Sequence, residues 1–238
     1  TSDAATITID DPVVGLPIVS DDFSQAELDS TLWTFVDPVG GSSVRLESGL
    51  LVFDVIGGVE HDLWRSGNES VRIVQPAPDT DFEIEAQFPT LPTIPYQLQG
   101  LLVEEAPGRY IRLDHYVDAD GVIRLFSASF VGDSPTIRAN DPVTLGADGL
   151  WLRLRRTGDT WQGFHSIDGL NWTQITSFTH GLNVTQVGVY AGNAGVDGAP
   201  APAYTAAVDY FSETSSPIEP EDGGVLDETP PVIADVAV

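Results

Sequence analysis

The residues best suited to binding chemistry lie in one short stretch, HDLWRSGN at residues 61–68, which is closely followed by Arg72. An indole ring can stack on the C–H face of a sugar, while carboxylate and guanidinium groups can hold its hydroxyls. His61, Asp62, Trp64 and Arg72 are therefore candidate ligand contacts. The alternative is that Trp64 is buried and anchors a long loop, with Asp62 paired to the arginine three residues later.

Charged residues on neighbouring segments form a second set of candidates. In YIRLDHYV at residues 110–117, Ile111 and Leu113 alternate with polar residues, which predicts a strand with one face in the core. Such polar groups are solvated by default, but on a concave sheet they line a groove. The ligand-binding candidates on this face are Glu104, Arg112 and Asp114, and the further face candidates are Tyr116, Arg153 and Trp161.

A calcium site is the metal chemistry that the sequence allows. Asp22 lies near the beginning of the chain and Asp209 near its end, and the first and last strands of a sandwich often lie side by side. Ca²⁺ takes carboxylate and backbone oxygens as ligands. We therefore expect a structural Ca²⁺ site at Asp22 and Asp209. The equal alternative is that Asp209 caps a strand end.

The composition excludes several functions. The 238 residues carry 36 acidic residues and 10 Arg, with no Lys and no Cys, which gives a net charge of −26. Such a charge repels nucleic-acid phosphates and anionic lipids, and the missing Lys and Cys exclude Schiff-base chemistry, thiolate metal sites and disulfides. No apolar stretch is long enough to span a membrane. We therefore expect neither a nucleic-acid partner nor membrane insertion.

The acidic surface is a property of the folded part. Residues 1–17 and 215–238 hold three and six of the acids and no Arg, which leaves 27 acids and 10 Arg, a net charge of −17, between residues 18 and 214. A surface of this kind is typical of adaptation to salty surroundings, where screening weakens the self-repulsion. The charge also disfavours anionic glycans relative to neutral ones, unless Ca²⁺ or the ten Arg create a local exception. We expect a secreted or cell-surface, salt-adapted protein.

The elements that must position these groups have a period of two. DFEIEAQF at residues 81–88 alternates cleanly, and Asp118-Ala-Asp-Gly121 and Thr157-Gly-Asp159 are typical hairpin turns between alternating segments. The pattern predicts an all-β protein, one antiparallel β-sandwich of the jelly-roll type. The exception is a short helix expected over residues 24–33, after a Ser cap.

The ends of the chain differ from the middle. Residues 1–17 combine an alternating segment with a Pro-containing linker, which is typical of the end of a preceding module. Residues 215–238 form an acidic Pro/Gly linker that leads into a segment resembling the first strand of an immunoglobulin-like module. We therefore expect the sandwich to span residues 18–214 and to be a monomeric part of a larger chain.

Several phrases, in order, resemble one superfamily. They are DDFS at 21–24, HDLWRSG at 61–67, DFEIE at 81–85, GLLVE at 100–104, WLRLRRTGD at 151–159, SIDGLNW at 166–172 and AVDYF at 207–211. Together they resemble the concanavalin-A-like lectin/glucanase superfamily, in particular bacterial "regulation of enolase"-type domains and the C-terminal β-sandwich of β-xylosidases. The resemblance implies two curved antiparallel sheets, a concave face and contact with carbohydrate.

Glu83 and Glu85 test whether this resemblance extends to catalysis. Retaining glycosidases place two carboxyl groups about 5 Å apart, and those of this superfamily carry a further acid soon after the pair on the strand. Here Ala86, Gln87 and Phe88 follow, so the third acid is missing. We interpret the two glutamates as a solvated strand face.

Three functions follow from these observations. The first is a non-catalytic carbohydrate-binding module of a multidomain protein, with a polysaccharide or oligosaccharide on the concave face and the 61–72 loop. The second is a glycan hydrolase or lyase that uses Glu83 and Glu85, or His61 and Asp62. The third is a structural spacer of an adhesin. The ordered phrases without a complete acid set favour the first.

Overall fold

The computed structural model describes residues 16–64, 67–132, 134–145 and 149–218. All regular elements in these ranges are β-strands and all their pairings are antiparallel, so the predicted all-β sandwich is confirmed. The modules expected before and after the sandwich fall mostly in residues 1–15 and 219–238, outside the described residues. No helix in the described part is long and apolar enough to cross a membrane.

Three sheets make up the described fold. The seven-stranded sheet has the order β1 (Thr34–Val36), β4 (Val71–Pro76), β13 (Gln186–Asn193), β6 (Gln97–Ala106), β7 (Arg109–Val117), β8 (Ile123–Val131) and β9 (Ser134–Pro142). The five-stranded sheet has the order β12 (Thr173–Thr179), β11 (Thr160–Ser166), β10 (Leu150–Thr157), β5 (Phe82–Phe88) and β15 (Phe211–Glu213). The three-stranded sheet has the order β14 (Tyr204–Val208), β3 (Leu50–Val55) and β2 (Ser43–Glu47).

One hydrophobic core joins the three sheets. Alternate residues point inward, such as Leu101 and Ile111 from the seven-stranded sheet, Ile84 and Leu154 from the five-stranded sheet, and Phe53 from the three-stranded sheet. All five are fully buried. The period of two in the sequence therefore places every second side chain of these strands in the core.

The prediction that Trp161 lies on a binding face is wrong, because this residue belongs to the core. Its side chain is fully buried, and its indole Nε1 donates a hydrogen bond of 2.9 Å to the carbonyl oxygen of His180. A ring of this size adds apolar area to the core while the single N–H group finds a partner.

The predicted hairpins form as expected. Asp118 Oδ1 accepts hydrogen bonds from the N–H groups of Asp120 (3.0 Å) and Val122 (2.9 Å), while Gly121 has a φ of +78° that suits glycine. This turn joins β7 to β8. The turn at Gly158 joins β10 to β11, whose last pair is Thr157 with Thr160. Local turn chemistry therefore fixes the register of both hairpins.

The helix predicted over residues 24–33 does not form. Asp22 Oδ1 accepts the N–H of Ser24 at 3.1 Å, and the residues that follow form bends and one turn. Asp29 Oδ1 accepts the N–H of Thr31 at 2.8 Å. Side-chain turns at two aspartates therefore replace the helical hydrogen bonds.

The two ends of the described chain meet at the edge of the five-stranded sheet. The N–H of Asp21 donates to the carbonyl of Phe211 at 2.8 Å, and the N–H of Phe211 donates back at 2.9 Å. The Trp33 indole donates to Asp21 Oδ2 at 2.7 Å and packs edge-on against Phe211. The expected proximity of the first and last segments is confirmed by these contacts.

Candidate functional site

The described parts of the connection between β3 and β4, residues 56–64 and 67–70, lie on the outer face of the seven-stranded sheet, opposite the core. Leu63 is fully buried there in a second hydrophobic cluster, together with Tyr110, Phe130 and Tyr190. The Tyr110 hydroxyl donates a hydrogen bond to the carbonyl of Leu63. The sheet therefore holds this connection by its backbone, and Asp62 and Trp64 lie on either side of the anchored residue.

A cleft of about 440 Å³ opens beside the anchored connection. Three predicted ligand contacts, Asp62, Trp64 and Arg112, line it, and so does Tyr116, one of the further candidates. Tyr96 lines it as well. The structure therefore brings together residues from the β3–β4 connection, β7 and the segment before β6 in one concave site of the size that small ligands occupy.

Aromatic rings form much of the wall. Trp64 is half-buried and meets Phe126 edge-on, with ring centroids 5.8 Å apart. Tyr96 and Tyr116 are stacked at 6.2 Å with an interplanar angle of 25°, and the Tyr116 ring is edge-on to Phe126 at 5.7 Å. The rings of Trp64, Tyr96 and Tyr116 are each fixed by a neighbour, so little side-chain freedom remains to be lost on binding.

Tyr96 is a site residue that the sequence analysis missed. Its φ of +63° lies in the left-handed region, which tyrosine rarely adopts. Two hydrogen bonds hold this backbone: the Tyr96 N–H donates to Val117 at 2.7 Å, and the Ala194 N–H donates to Tyr96 at 3.0 Å. Strain of this kind is concentrated at functional sites. The available signal was the aromatic residue after Pro95 at the end of an irregular segment.

Arg112 is the cationic residue among the described residues that line the cleft. Its Nε and Nη2 donate to Asp114 at 2.7 and 2.9 Å, and its guanidinium carbon lies 4.9 Å from the Phe126 ring centroid. Burial by itself lowers the pKa of Arg112, but the carboxylate of Asp114 more than offsets this and raises it well above the usual range. The guanidinium is therefore always charged and largely neutralised from behind.

Asp62 supplies a carboxylate to the same cleft. Burial raises the pKa of Asp62, although Arg112 and the N–H group of Leu63, which donates to Oδ1 at 2.7 Å, act in the other direction. Glu60 lines the same cleft and is exposed. Asp62 is thus a poorly solvated hydrogen-bond acceptor, which can accept hydrogen bonds from hydroxyl or ammonium groups of a ligand.

His61 does not reach the cleft, which corrects its prediction as a ligand contact. Its side chain is fully buried, its N–H donates to Asn193 Oδ1 at 2.9 Å, and its Nε2 lies 3.1 Å from the Ser42 hydroxyl. Asp37 Oδ1 is 3.5 Å from the same nitrogen. His61 therefore joins the β3–β4 connection to its neighbours and presents no surface to a ligand.

Glu104, Arg72 and Asp114 are also buried behind the cleft and are corrected in the same way. Glu104 accepts hydrogen bonds from Asn68 at 2.9 Å and Gln186 at 2.6 Å, and Arg72 Nε lies 3.5 Å from its carboxylate. Arg72 Nη1 also donates to the carbonyls of Asn68 and Ser70. The period of two placed these side chains on the correct face, but the connection over them excludes solvent.

Glu83 and Glu85 lie on the outer face of the other sheet and are paired with arginines. Arg153 donates to Glu85 Oε2 at 2.8 and 2.5 Å, and Arg155 forms an ion pair with Glu83. The Arg153 guanidinium carbon lies 3.8 Å from the Trp172 ring centroid. The expected orientation, opposite Phe82 and Ile84, is confirmed, but these carboxylates are held in ion pairs and do not stand as a free acid and base.

The two aspartates proposed for calcium have hydrogen-bond partners within the protein. Asp22 Oδ1 accepts the N–H (3.1 Å) and hydroxyl (2.8 Å) of Ser24, and the Asp209 N–H donates to Gln87. The described residues hold no group of three acidic, His or Cys side chains that could bind a metal. Ca²⁺ requires six to eight oxygen ligands. The calcium site at Asp22 and Asp209 therefore stays a prediction without support from the geometry.

No protein-family description and no curated protein sequence matches the chain. Solved structures do match its fold. A GH43 protein from Bacillus licheniformis shares 16% identity at a TM-score of 0.62 over 81% of this chain and 38% of its own. A xylan β-1,4-xylosidase from Bacillus halodurans shares 16% identity at a TM-score of 0.62, over 88% of this chain and 40% of its own.

A third similar structure is the CBM2 module of the evolved Dit protein of Lactobacillus casei BL23 phage J-1. It shares 10% identity at a TM-score of 0.56 and covers 83% of this chain and 95% of its own. The chain thus spans about two-fifths of the GH43 protein and of the xylosidase, and nearly all of the phage module. At these identities the likeness concerns the fold.

Proposed function

We propose that this sandwich is a non-catalytic carbohydrate-binding module of a multidomain secreted or cell-surface protein, and that the cleft beside Trp64 receives the glycan. The cleft carries the proposal, because it combines fixed aromatic rings with a carboxylate, a guanidinium and the exposed amide of Asn140. This mixture is what sugar rings require, since they present C–H faces and hydroxyl edges together. We place the domain with the concanavalin-A-like superfamily on the resemblance of its sequence phrases.

The similar structures support a role in carbohydrate recognition. They include a xylan β-1,4-xylosidase and a CBM2 module. The chain covers only 40% of the xylosidase, so the activity of that whole enzyme does not extend to this chain. The fold thus matches one part of a longer enzyme and nearly all of a separate module, and both matches agree with a module that accompanies other domains.

The ion pairs on the five-stranded sheet favour binding over catalysis. Glu85 is held by Arg153 and by the Tyr210 hydroxyl, and Glu83 by Arg155 and the Thr214 hydroxyl. A general acid or base must be free to exchange a proton with a substrate, whereas both carboxylates are already engaged by arginines and hydroxyl groups of the protein. Release of sugar from a polysaccharide panel, lost in Glu83→Gln, would instead establish an enzyme.

Removal of the Trp64 ring tests the proposal. Isothermal titration against a panel of polysaccharides should find one or more ligands, and Trp64→Ala should weaken their binding about tenfold or more, because an aromatic anchor is lost from the site. Trp172→Ala is the matched control, since this half-buried tryptophan lies on the other sheet. It should leave affinity unchanged.

Two results would contradict the proposal. The first is that no polysaccharide binds to the unmodified domain. The second is that Trp64→Ala and Trp172→Ala weaken binding equally, which would indicate general destabilisation. Trp64→Phe keeps an aromatic face and should recover much of the affinity, whereas a purely structural spacer would show no glycan-dependent signal in any variant.

A further inference from the structure

The charges around the cleft are unequal. Among the described lining residues, Glu60 and Asp62 are acidic and Arg112 is basic. Two guanidinium nitrogens of Arg112 already donate to Asp114, which is fully buried directly behind it. The positive charge is thus balanced inside the protein, and the two carboxylates set the sign of the field in the site.

Among the described residues Asp62 forms no salt bridge, and Arg65, the arginine three residues later, lies outside them. Its Oδ1 accepts one backbone N–H, and burial raises the pKa of its carboxyl group despite the proximity of Arg112. A ligand cation placed against Asp62 would stabilise the charged carboxylate and offset the hydration that burial removes. Such a ligand would form a charge-assisted hydrogen bond, which is about twice as strong as the bond that a neutral hydroxyl forms.

Aromatic rings in the same site also favour a cation. Trp64, Tyr96 and Tyr116 line the cleft along with Asp62. Their π-faces attract ammonium groups, and they also stack on sugar C–H groups. Carboxylates and ring faces together therefore match a sugar that carries an amine, and they oppose a sugar that carries a carboxylate.

We propose that the cleft selects glycans with free amino groups, such as 2-amino-2-deoxy sugars, over their neutral counterparts, and excludes uronates. Asp62 is the specificity-determining residue, with Glu60 in a supporting role. This inference rests on the proposed binding function, because it assigns the ligand class of the same cleft. It goes further in predicting that the ligand's charge, at constant ring geometry, sets the affinity.

Three β-1,4-linked hexasaccharides that differ only at C2 test the ligand charge directly. They carry a hydroxyl (cellohexaose), an acetamido group (chitin hexamer) or an ammonium group (chitosan hexamer). In physiological salt, at a pH where the amine is protonated, we expect the ammonium ligand to bind about tenfold more tightly than either neutral ligand. An oligogalacturonate should not bind.

Matched variants separate a local contact from general attraction to a chain with a net charge of −26. Asp62→Asn should reduce the preference for the ammonium ligand to about twofold, while Glu60→Gln should have a smaller effect of the same sign. Asp159→Asn removes the same charge at the exposed turn between β10 and β11, and it should keep the preference. Binding of a neutral glycan by Asp62→Asn shows that this variant is folded.

The outcomes distinguish this inference from the function on which it rests. If neutral glycans bind through Trp64 but the chitosan hexamer shows no preference, the amine selectivity is wrong and the binding module stands. If Asp159→Asn and Asp62→Asn lower the preference equally, the attraction is not local and the inference is overturned. If no glycan binds at all, both proposals fail.

Discussion

The outer faces of the two large sheets carry the same kind of charged pair in different surroundings. On the seven-stranded sheet Arg112 pairs with Asp114, and both side chains are almost completely buried. On the five-stranded sheet Arg153 pairs with Glu85, and their side chains are 23% and 11% exposed. The difference comes from the β3–β4 connection, which covers the first face, whereas the second face is only partly shielded from solvent. A strand pattern therefore sets the face of a side chain, and the connections set its solvation.

The comparison also explains why the cleft lies where it does. A partly covered face combines a rigid polar network with aromatic rings that are half-buried at its border, such as Trp64 and Tyr116. The face of the five-stranded sheet can satisfy its charges with one another and with water, so its pairs of Glu83 with Arg155 and Glu85 with Arg153 need no ligand. Restricted solvation is what makes the covered face suited to selective binding.

The largest expected difference between the faces is in stability. Arg112→Met leaves Asp114 buried without a partner and should lower the free energy of unfolding by about 3–5 kcal/mol. Arg153→Met breaks a partly exposed pair and should cost about 0–1 kcal/mol. Urea unfolding followed by tryptophan fluorescence measures both values.

The double variant Arg112→Met with Asp114→Leu is the control for this prediction. Replacing both members of a buried pair by apolar groups removes the unpaired charge, so most of the lost stability should return. Equal losses for Arg112→Met and Arg153→Met would show that the two faces do not differ in solvation. Such a result would mean that Arg112 is not as deeply buried in solution as the structure shows.

A smaller difference is expected for the tyrosine that anchors each face. Tyr110→Phe removes the hydrogen bond to the Leu63 carbonyl and leaves that buried acceptor unsatisfied, which should cost about 1–3 kcal/mol. It should also weaken glycan binding, because Leu63 lies between Asp62 and Trp64. The matched change Tyr210→Phe removes a hydroxyl contact with Glu85 on the half-exposed face.

Binding separates the two tyrosines more sharply than stability does. Tyr210→Phe should cost less stability and leave the affinity for glycan unchanged. If Tyr110→Phe destabilises the protein but binds glycan as tightly as the unmodified chain does, the cleft does not depend on the position of the β3–β4 connection. The covered face would then be a structural feature only.

The features that the sequence predicted correctly are those set by residues close together in the chain. The strands, the turn at Asp118 and the face of Arg112 follow from patterns a few residues long, so the sequence predicted them. The burial of Glu104 depends on Asn68 and Gln186, which are 36 and 82 residues distant. No local pattern encodes such contacts, and for this reason Glu104 was placed in a groove when it lies beneath a covering connection.

Two misses have local causes that competed with the pattern. Residues 24–33 contain helix-forming side chains, but the aspartates before and within them bind backbone N–H groups and favour turns. Tyr96 follows a proline-containing segment without periodicity, and its left-handed backbone is held by Val117 and Ala194 from distant parts of the chain. Site residues on irregular segments that are held by tertiary contacts are therefore not predictable from local sequence patterns.

The smallest expected effect is a difference in pH dependence between two aspartates. Burial raises the pKa of Asp62 in the folded state, so this group favours folding most at low pH, where it is protonated, and loses that contribution as pH rises through its folded pKa. Asp168, in the exposed β11–β12 turn, has its pKa lowered by hydrogen bonds from Asn171 and other neighbours. Its contribution is present above its usual pKa and is lost as pH falls through the lowered value.

The two asparagine variants should therefore show opposite trends. The stability of Asp62→Asn relative to the unmodified protein should increase as pH rises from its usual pKa of 3.8 through the raised value, because the variant no longer buries a charge. The relative stability of Asp168→Asn should instead fall as pH rises from below 3.8. Urea midpoints measured across this range provide the test. Parallel trends would mean that Asp62 is as well solvated as a surface aspartate, which would remove the physical basis for selecting an amine in the cleft.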